Sequence, residues 1–326
     1  MSALSRRELL AGGVGMAVLA PPVRAATSTL YLVRTTDRAE GIRRGLALLG
    51  LPPLQGRRVV VKPNFNSGDE FPASTHPDTL AALVQHVKAG GARDIAVADR
   101  SGMGDTRRVM EQKGVLVEAS RLGFRAVVLD ELPEDGWVEE PLPGGHWSRG
   151  VLFPKLVHEA DLVIQTCCLK THRFGGHFTL SLKNSVGMVA KYGPRGRYNY
   201  MSELHGSSRQ RRMIAEINQL YRPAMVVMDG LAAFTDGGPE SGTLVTPGVM
   251  VLGTDRVAMD AVGVAILRLH GGNPTISRGR IFDQEQIARA AQLGLGARAP
   301  DQIDLVTDDP ESRQVADRIR QVLARG

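Results

Sequence analysis

The chain has 326 residues, 43% hydrophobic and 23% charged, a balance that excludes a disordered tail or a collagen-like polymer. Two cysteines supply neither a disulfide framework nor the four thiolates that an iron–sulfur cluster usually takes, and 5% aromatic content furnishes few stacking platforms for nucleic acid. The formal net charge is +6, so where the charge sits matters more than its size.

Residues 1–25 read as an export signal. Arg6 and Arg7 precede a glycine-diluted apolar stretch over 11–20, shorter than the roughly 20 residues of a bilayer span, and Val23-Arg24-Ala25 offers a small-residue cleavage site before Ala26. The arginine pair points to the twin-arginine route and a periplasmic destination for a protein exported already folded, with no integral membrane anchor once processed. Cleavage removes Arg6, Arg7 and Arg24 with Glu8, leaving a charge of +4 on residues 26–326.

The remainder alternates strand and helix. A strand near Leu30–Arg34 and a helix over Ala39–Leu49 lead to the β-branched run Arg57–Val61, which ends at Lys62-Pro63-Asn64. Thr75 is the expected N-cap of a helix that runs through Lys88 and stops at Gly90-Gly91. Strands follow at Asp94–Ala98 and Ala126–Leu129, and the Pro-, Gly- and acid-rich stretch 131–150 reads as a loop or hairpin. Further strands are expected at Leu162–Gln165, Met225–Met228, Val249–Leu252 and Ile303–Val306, with helices near 209–221, 255–269, 284–293 and 311–324. This pattern predicts one elaborated α/β domain over 26–326, a mostly parallel or mixed sheet with helices on both faces.

In such sheets ligands gather beyond the carboxyl ends of strands, and polar residues fall there repeatedly: Lys62 and Asn64, Asp99 and Ser101, Lys170 and His172, Asp229 and Asp236. No G-x-S-x-G, S-x-x-K or H-E-x-x-H motif is present. Gly102-Met103-Gly104 lacks the third glycine of a dinucleotide fingerprint and reads as a turn. His172 and His177 flank Gly175-Gly176 and invite a metal together with Asp99 or Asp229, though without a recognised ligand spacing. Cys167-Cys168 reads as buried packing or a vicinal disulfide. The segment Thr179–Gly187 has apolar spacing suited to a helix that turns Lys183 and Asn184 toward a site. Between Lys170 and Arg212 nine cationic residues face one acid, Glu203, which predicts an anion-binding face centred on Lys170 and Lys183.

Lys62-Pro63-Asn64, His76-Pro77, Asp99-Arg100-Ser101, Lys170-Thr171-His172, Leu182-Lys183-Asn184-x-x-Gly187, Asp229-Gly230 and Asp255-x-x-Ala258-x-Asp260 together resemble the uncharacterised family catalogued as domain of unknown function 362, over about residues 57–270. Some relatives carry a ferredoxin-like cysteine cluster, which this chain lacks, so the resemblance implies at most an iron–sulfur or redox partner protein. It implies no reaction.

Two readings follow. One is an exported enzyme acting on an anionic small molecule, with Lys62, Asn64, Lys170, Lys183 and Asn184 binding negative charge and Asp99, His172 or Asp229 supplying acid–base chemistry or a metal ligand. The other is a non-catalytic periplasmic binding or maturation factor for a metal, cofactor or iron–sulfur partner. Nucleic acid is not an expected partner, and neither a metal nor a cofactor is named by the residues.

Overall fold

The computed structural model describes residues 27–193 and 196–326. The expected signal segment and Arg195 lie outside the described residues. Twelve strands are formed among the described residues: β1 Ser28–Arg34, β2 Arg58–Lys62, β3 Asp94–Asp99, β4 Arg125–Val128, β5 Trp137–Glu140, β6 Val151–Pro154, β7 Leu162–His172, β8 His177–Thr179, β9 Met225–Gly237, β10 Gly242–Val245, β11 Val249–Gly253 and β12 Ile303–Val306. All but β5 and β6 join one sheet, whose main path runs β12-β1-β11-β9-β7-β2-β3-β4. Along it β11 alone is antiparallel to its neighbours. The fold is thus mixed α/β with a mostly parallel sheet.

Side-chain alternation explains why both faces are covered. Val59 and Val61 point into a core with Ile42, Leu46, Leu80, Leu83 and Val87 from the helices Arg38–Leu49 and Pro77–Ala89. Val60, between them in sequence, faces the opposite core with Phe153, Met188 and Ile214. Farther along the sheet, Leu30, Leu32, Val226 and Val251 pack on the almost wholly buried helix Arg256–Leu269. The stretch 131–150 does enter a hairpin, with β5 pairing β6 as a separate two-stranded sheet.

Two strands outrun their expected lengths, and this shapes the site. β7 continues from Gln165 to His172 and β9 from Met228 to Gly237, each folding back into a short antiparallel partner, β8 and β10. Polar and glycine residues such as Lys170, Thr171, Gly230 and Gly237 hide this extension from a search for apolar runs, because strand pairing rather than propensity holds it. The β7–β9 register jumps after Cys168, which pairs with Asp229, to Leu169, which pairs with Ala233. Residues 230–232 bulge there, and the pairing resumes through Lys170 opposite Phe234.

One helix start differs from expectation. His76, not Thr75, caps Pro77–Ala89, its Nδ1 accepting from the Asp78 N–H at 3.1 Å. Thr75 Oγ1 is engaged elsewhere, accepting from the Asn64 N–H at 2.8 Å and closing the loop after β2.

Candidate active site

From β2 the chain proceeds outward through β3 to β4, whereas β7 and β9 lie on the other side of β2. The crevice at the carboxyl ends of β2 and β7 is therefore a point where the direction of sheet winding reverses, the place where diverging loops leave room for a ligand. A cavity of about 630 Å³ opens there, lined among others by Lys62, Asn64, Asp99, His172, Lys183 and Asn184. That volume lies within the ~300–1,000 Å³ typical of small-molecule sites.

At the floor, Lys62 at the end of β2 meets Asp99 at the end of β3, Nζ to Oδ1 2.7 Å, both side chains almost fully buried. Lys62 also donates to Pro63 O at 2.6 Å and Asn184 Oδ1 at 3.1 Å, while Asp99 accepts from the Phe65 and Arg100 N–H groups at 2.6 and 2.7 Å. Burial pulls the Lys62 ammonium below its ordinary range and pushes the Asp99 carboxyl above its own, and the attraction between them opposes both shifts. Gly187 passes directly over this pair: a Cβ there would lie 2.5 Å from Asp99 Oδ1 and 2.8 Å from Lys62 Nζ. Glycine in Leu182-Lys183-Asn184-x-x-Gly187 is thus required by close approach rather than by backbone angle.

Thr179–Gly187 does not make one continuous helix. It forms a four-residue turn of helix over Ser181–Asn184, then a 3-10 turn over Ser185–Met188. Asp260, buried on the helix Arg256–Leu269, accepts from the Ser181 N–H at 2.8 Å and the Leu182 N–H at 3.2 Å, and Gln286 Nε2 donates to it at 3.2 Å. Burial raises the Asp260 carboxyl to about 7 against these stabilising donors. Asp260 therefore orients the turn that delivers Lys183 and Asn184, while Asp255 caps its own helix at Val257 and Ala258.

Lys183 reaches the cavity with no hydrogen bond or ion pair among the described residues. Burial, reinforced by the charges of Lys170 and Arg100, lowers its ammonium to about 7. His172 stands next to it: a Cβ on Gly176 would meet Lys183 Cε at 2.8 Å and His172 Nδ1 at 3.0 Å. Burial and the charges of Lys183 and Lys170 keep His172 well below its usual range, so its ring is neutral. Four lining residues hold buried polar atoms without partners, His172 Nδ1, Thr179 Oγ1, Asn66 Nδ2 and Arg100 Nε. Such atoms, costly to leave dry and unbonded, mark where a ligand or water would bond.

Not every expected residue converges here. Lys170 is fully buried and spent on Asn64 Oδ1 at 2.8 Å, Pro72 O at 3.0 Å and Ala73 O, which ties the loop after β2 to β7. Asp229 lies outside the cavity lining, held by Thr79 Oγ1 at 2.5 Å, Arg38 Nε at 2.9 Å and the Leu231 N–H at 3.1 Å. Asp236 accepts from Asn273 Nδ2. Within the cationic run of 170–212, acids from distant segments pair four residues, Arg173 with Glu240, Lys191 with Asp130, and Arg211 and Arg212 with Glu285. Arg197 and Arg209 have no ion pair among the described residues but do not line this cavity, so the unpaired cation of the run that does is Lys183, joined there by Arg100, unforeseen as a site residue. The arginine follows a strand-end aspartate and lies in the motif Asp99-Arg100-Ser101, the signals that could have pointed to it.

The metal constellation does not assemble. Among the described residues no three His, Cys, Asp or Glu side chains are grouped as ligands, since Asp99 is bound to Lys62 and Asp229 to Arg38. Cys167 and Cys168 are free and buried, with burial raising both thiols above their ordinary range. No helix of the described residues is long and apolar enough to cross a membrane.

The family described as "Domain of unknown function (DUF362)" matches residues 59–265. A thylakoid-associated protein of Synechocystis is 27% identical over 216 residues, which span 66% of this chain and 64% of that relative's length. The chain is also similar to the lactate racemase apoprotein of Thermoanaerobacterium thermosaccharolyticum, with TM-score 0.44 and 14% identity, covering 90% of this chain and 86% of that one.

Proposed function

The chain belongs to the domain of unknown function 362 family, and from its own geometry we propose that it is an exported enzyme that binds a small anionic molecule in the cavity beside β2 and β7, with Lys183 as the proton-exchanging contact. The observation that carries this reading is the unpartnered Lys183 ammonium. Asp99, the carboxylate among the cavity-lining groups named above, already has its charge matched by Lys62. Lys183, Arg100 and the buried, unpartnered Asn66 Nδ2 and Thr179 Oγ1 around it therefore line the cavity with surplus positive charge and open donors. An anion supplies what they lack.

The chemistry follows from the same lysine. An amine with a pKa of about 7 is half protonated near neutrality, so it both takes and returns a proton at useful rates. Protonated, it holds a carboxylate or phosphate oxygen; deprotonated, it accepts a proton from the bound molecule. His172, neutral and adjacent, is a second donor or acceptor through its free Nδ1. A non-catalytic binding role is favoured by one fact: Asp99 accepts from three partners and is not free as a base.

Calorimetric titration with inorganic phosphate and aliphatic carboxylates tests the binding. Lys183→Met is expected to weaken the anions that the wild type binds by about 1.5–3 kcal/mol; equal affinity in both proteins rejects the site. Proton NMR of a bound carboxylate in D2O then separates the roles. Lys183-dependent exchange of a C–H proton marks the enzyme, and tight binding without exchange marks the binding factor.

A further inference from the structure

Large apolar side chains are exposed among the described residues at Leu51, Met103, Val117, Phe174, Tyr192 and Leu244. Scattered singly they would need no explanation. Three of the six, however, line this one cavity: Met103 is 37% exposed, Phe174 48% and Tyr192 57%. They come from separate segments, Met103 from the loop after β3, Phe174 from the β7–β8 turn and Tyr192 from the stretch after the 3-10 turn Ser185–Met188. Val186 and Met201 extend the same apolar lining.

We propose that the ligand is amphiphilic, a carboxylate or phosphate head seated at Lys183 and Arg100 with an apolar or aromatic body lying against Met103, Phe174 and Tyr192. The inference rests on the anion-binding reading and adds the class of molecule. Phe174 is built into the site rather than draped over it. Its ring packs edge-on against His172, centroids 5.8 Å apart, and the Arg173 guanidinium covers it at 4.4 Å from the centroid. His172 in turn adjoins Lys183, so the polar floor and the apolar rim are joined through one side chain. The cavity also exceeds what a bare inorganic anion fills, and water left against an apolar rim is released when an apolar body replaces it.

The test is a titration of the full chain with straight-chain carboxylates from acetate to octanoate, kept below micelle formation, with 1-octanol as the uncharged control. Affinity is expected to rise by up to ~4-fold per methylene, as burial of a CH2 group implies, and 1-octanol to bind far more weakly than octanoate. Phe174→Ala and Tyr192→Ala should each lower octanoate affinity more than acetate affinity. If acetate and octanoate bind equally, the amphiphile is rejected while the anion site stands. If no anion binds at any length, both fail. If 1-octanol matches octanoate, the head group assignment falls. Sedimentation velocity supplies the last arm: a dimer lost on Phe174→Ala would assign the apolar rim to a second copy of the chain and overturn the proposal.

Discussion

Lys62 Nζ lies 2.7 Å from Asp99 Oδ1 in a pair that solvent does not reach, at the carboxyl ends of adjacent parallel strands. Removing one partner strands the other charge in a medium that solvates it poorly. Lys62→Met is expected to destabilise the fold by about 3–5 kcal/mol, and Lys62→Met with Asp99→Asn by less than the sum of the single changes. Denaturant melts of the four proteins check this; additive losses would mean that the two groups do not interact.

Gly187→Ala tests whether close approach is the reason for glycine in this motif. The added methyl meets both Asp99 Oδ1 and Lys62 Nζ, so a loss of about 1–3 kcal/mol is expected. A melt showing Gly187→Ala as stable as wild type would remove the steric account.

Lys183 makes a pH-dependent prediction. Its folded pKa, about 7, lies below the ordinary value of 10.5, so the folded state binds fewer protons than the unfolded one between these values. Burying the charged amine costs stability in full below pH 7, and the cost fades as pH rises toward 10.5. Lys183→Met should therefore gain stability over wild type by roughly 1–3 kcal/mol at pH 6 and lose that gain by pH 10, the size limited by the solvent that reaches the cavity. An anion restores the proton, so binding at pH 8 should take up protons. Titrations in buffers of different ionisation enthalpy read this directly, and no uptake would place the anion away from Lys183.

Asp260 titrates with the opposite sense. Its folded pKa is raised from 3.8 to about 7, so the stability tied to its protonated form is present below pH 4 and is lost as pH rises through 7. Asp260→Asn keeps an acceptor for the Ser181 and Leu182 N–H groups without the charge. Its stability relative to wild type should rise across pH 4–7 and level off above, while Asp260→Ala, which loses both caps, should be less stable at every pH. Parallel pH-dependent curves for Asn and wild type would show that the carboxyl does not titrate in that window.

Export is tested independently of the site. Replacing Arg6 and Arg7 together with lysine should leave precursor in the cytoplasm, and N-terminal sequencing of the exported wild type should begin at or near Ala26. Normal export of the double variant removes the twin-arginine reading.

Local order was open to reading because it depends on near neighbours. The β-branched run before Lys62, the strand ends carrying Lys62 and Asp99, and the helix start near Pro77, missed only by one residue at its cap, all follow from spacing within a few residues, and so do the α/β class and the family motifs. The partner of each charge does not. Lys170 and Lys183 are alike in sequence, each next to apolar residues in a cationic segment, yet the loop after β2 brings carbonyls of Pro72 and Ala73 to one and nothing described to the other. Asp99 ends β3 and Asp229 lies within the lengthened β9, both buried, but Lys62 pairs with the first at the cavity floor and Arg38, 191 residues away, pairs with the second outside the cavity lining. Desolvation makes an unpartnered buried charge costly, and only the folded chain decides which acids, carbonyls or amides come close enough to offset it. That is why the sequence pointed to the strand ends that border the cavity, and why tertiary structure alone singled out Lys183 as the lysine there with no side-chain partner among the described residues.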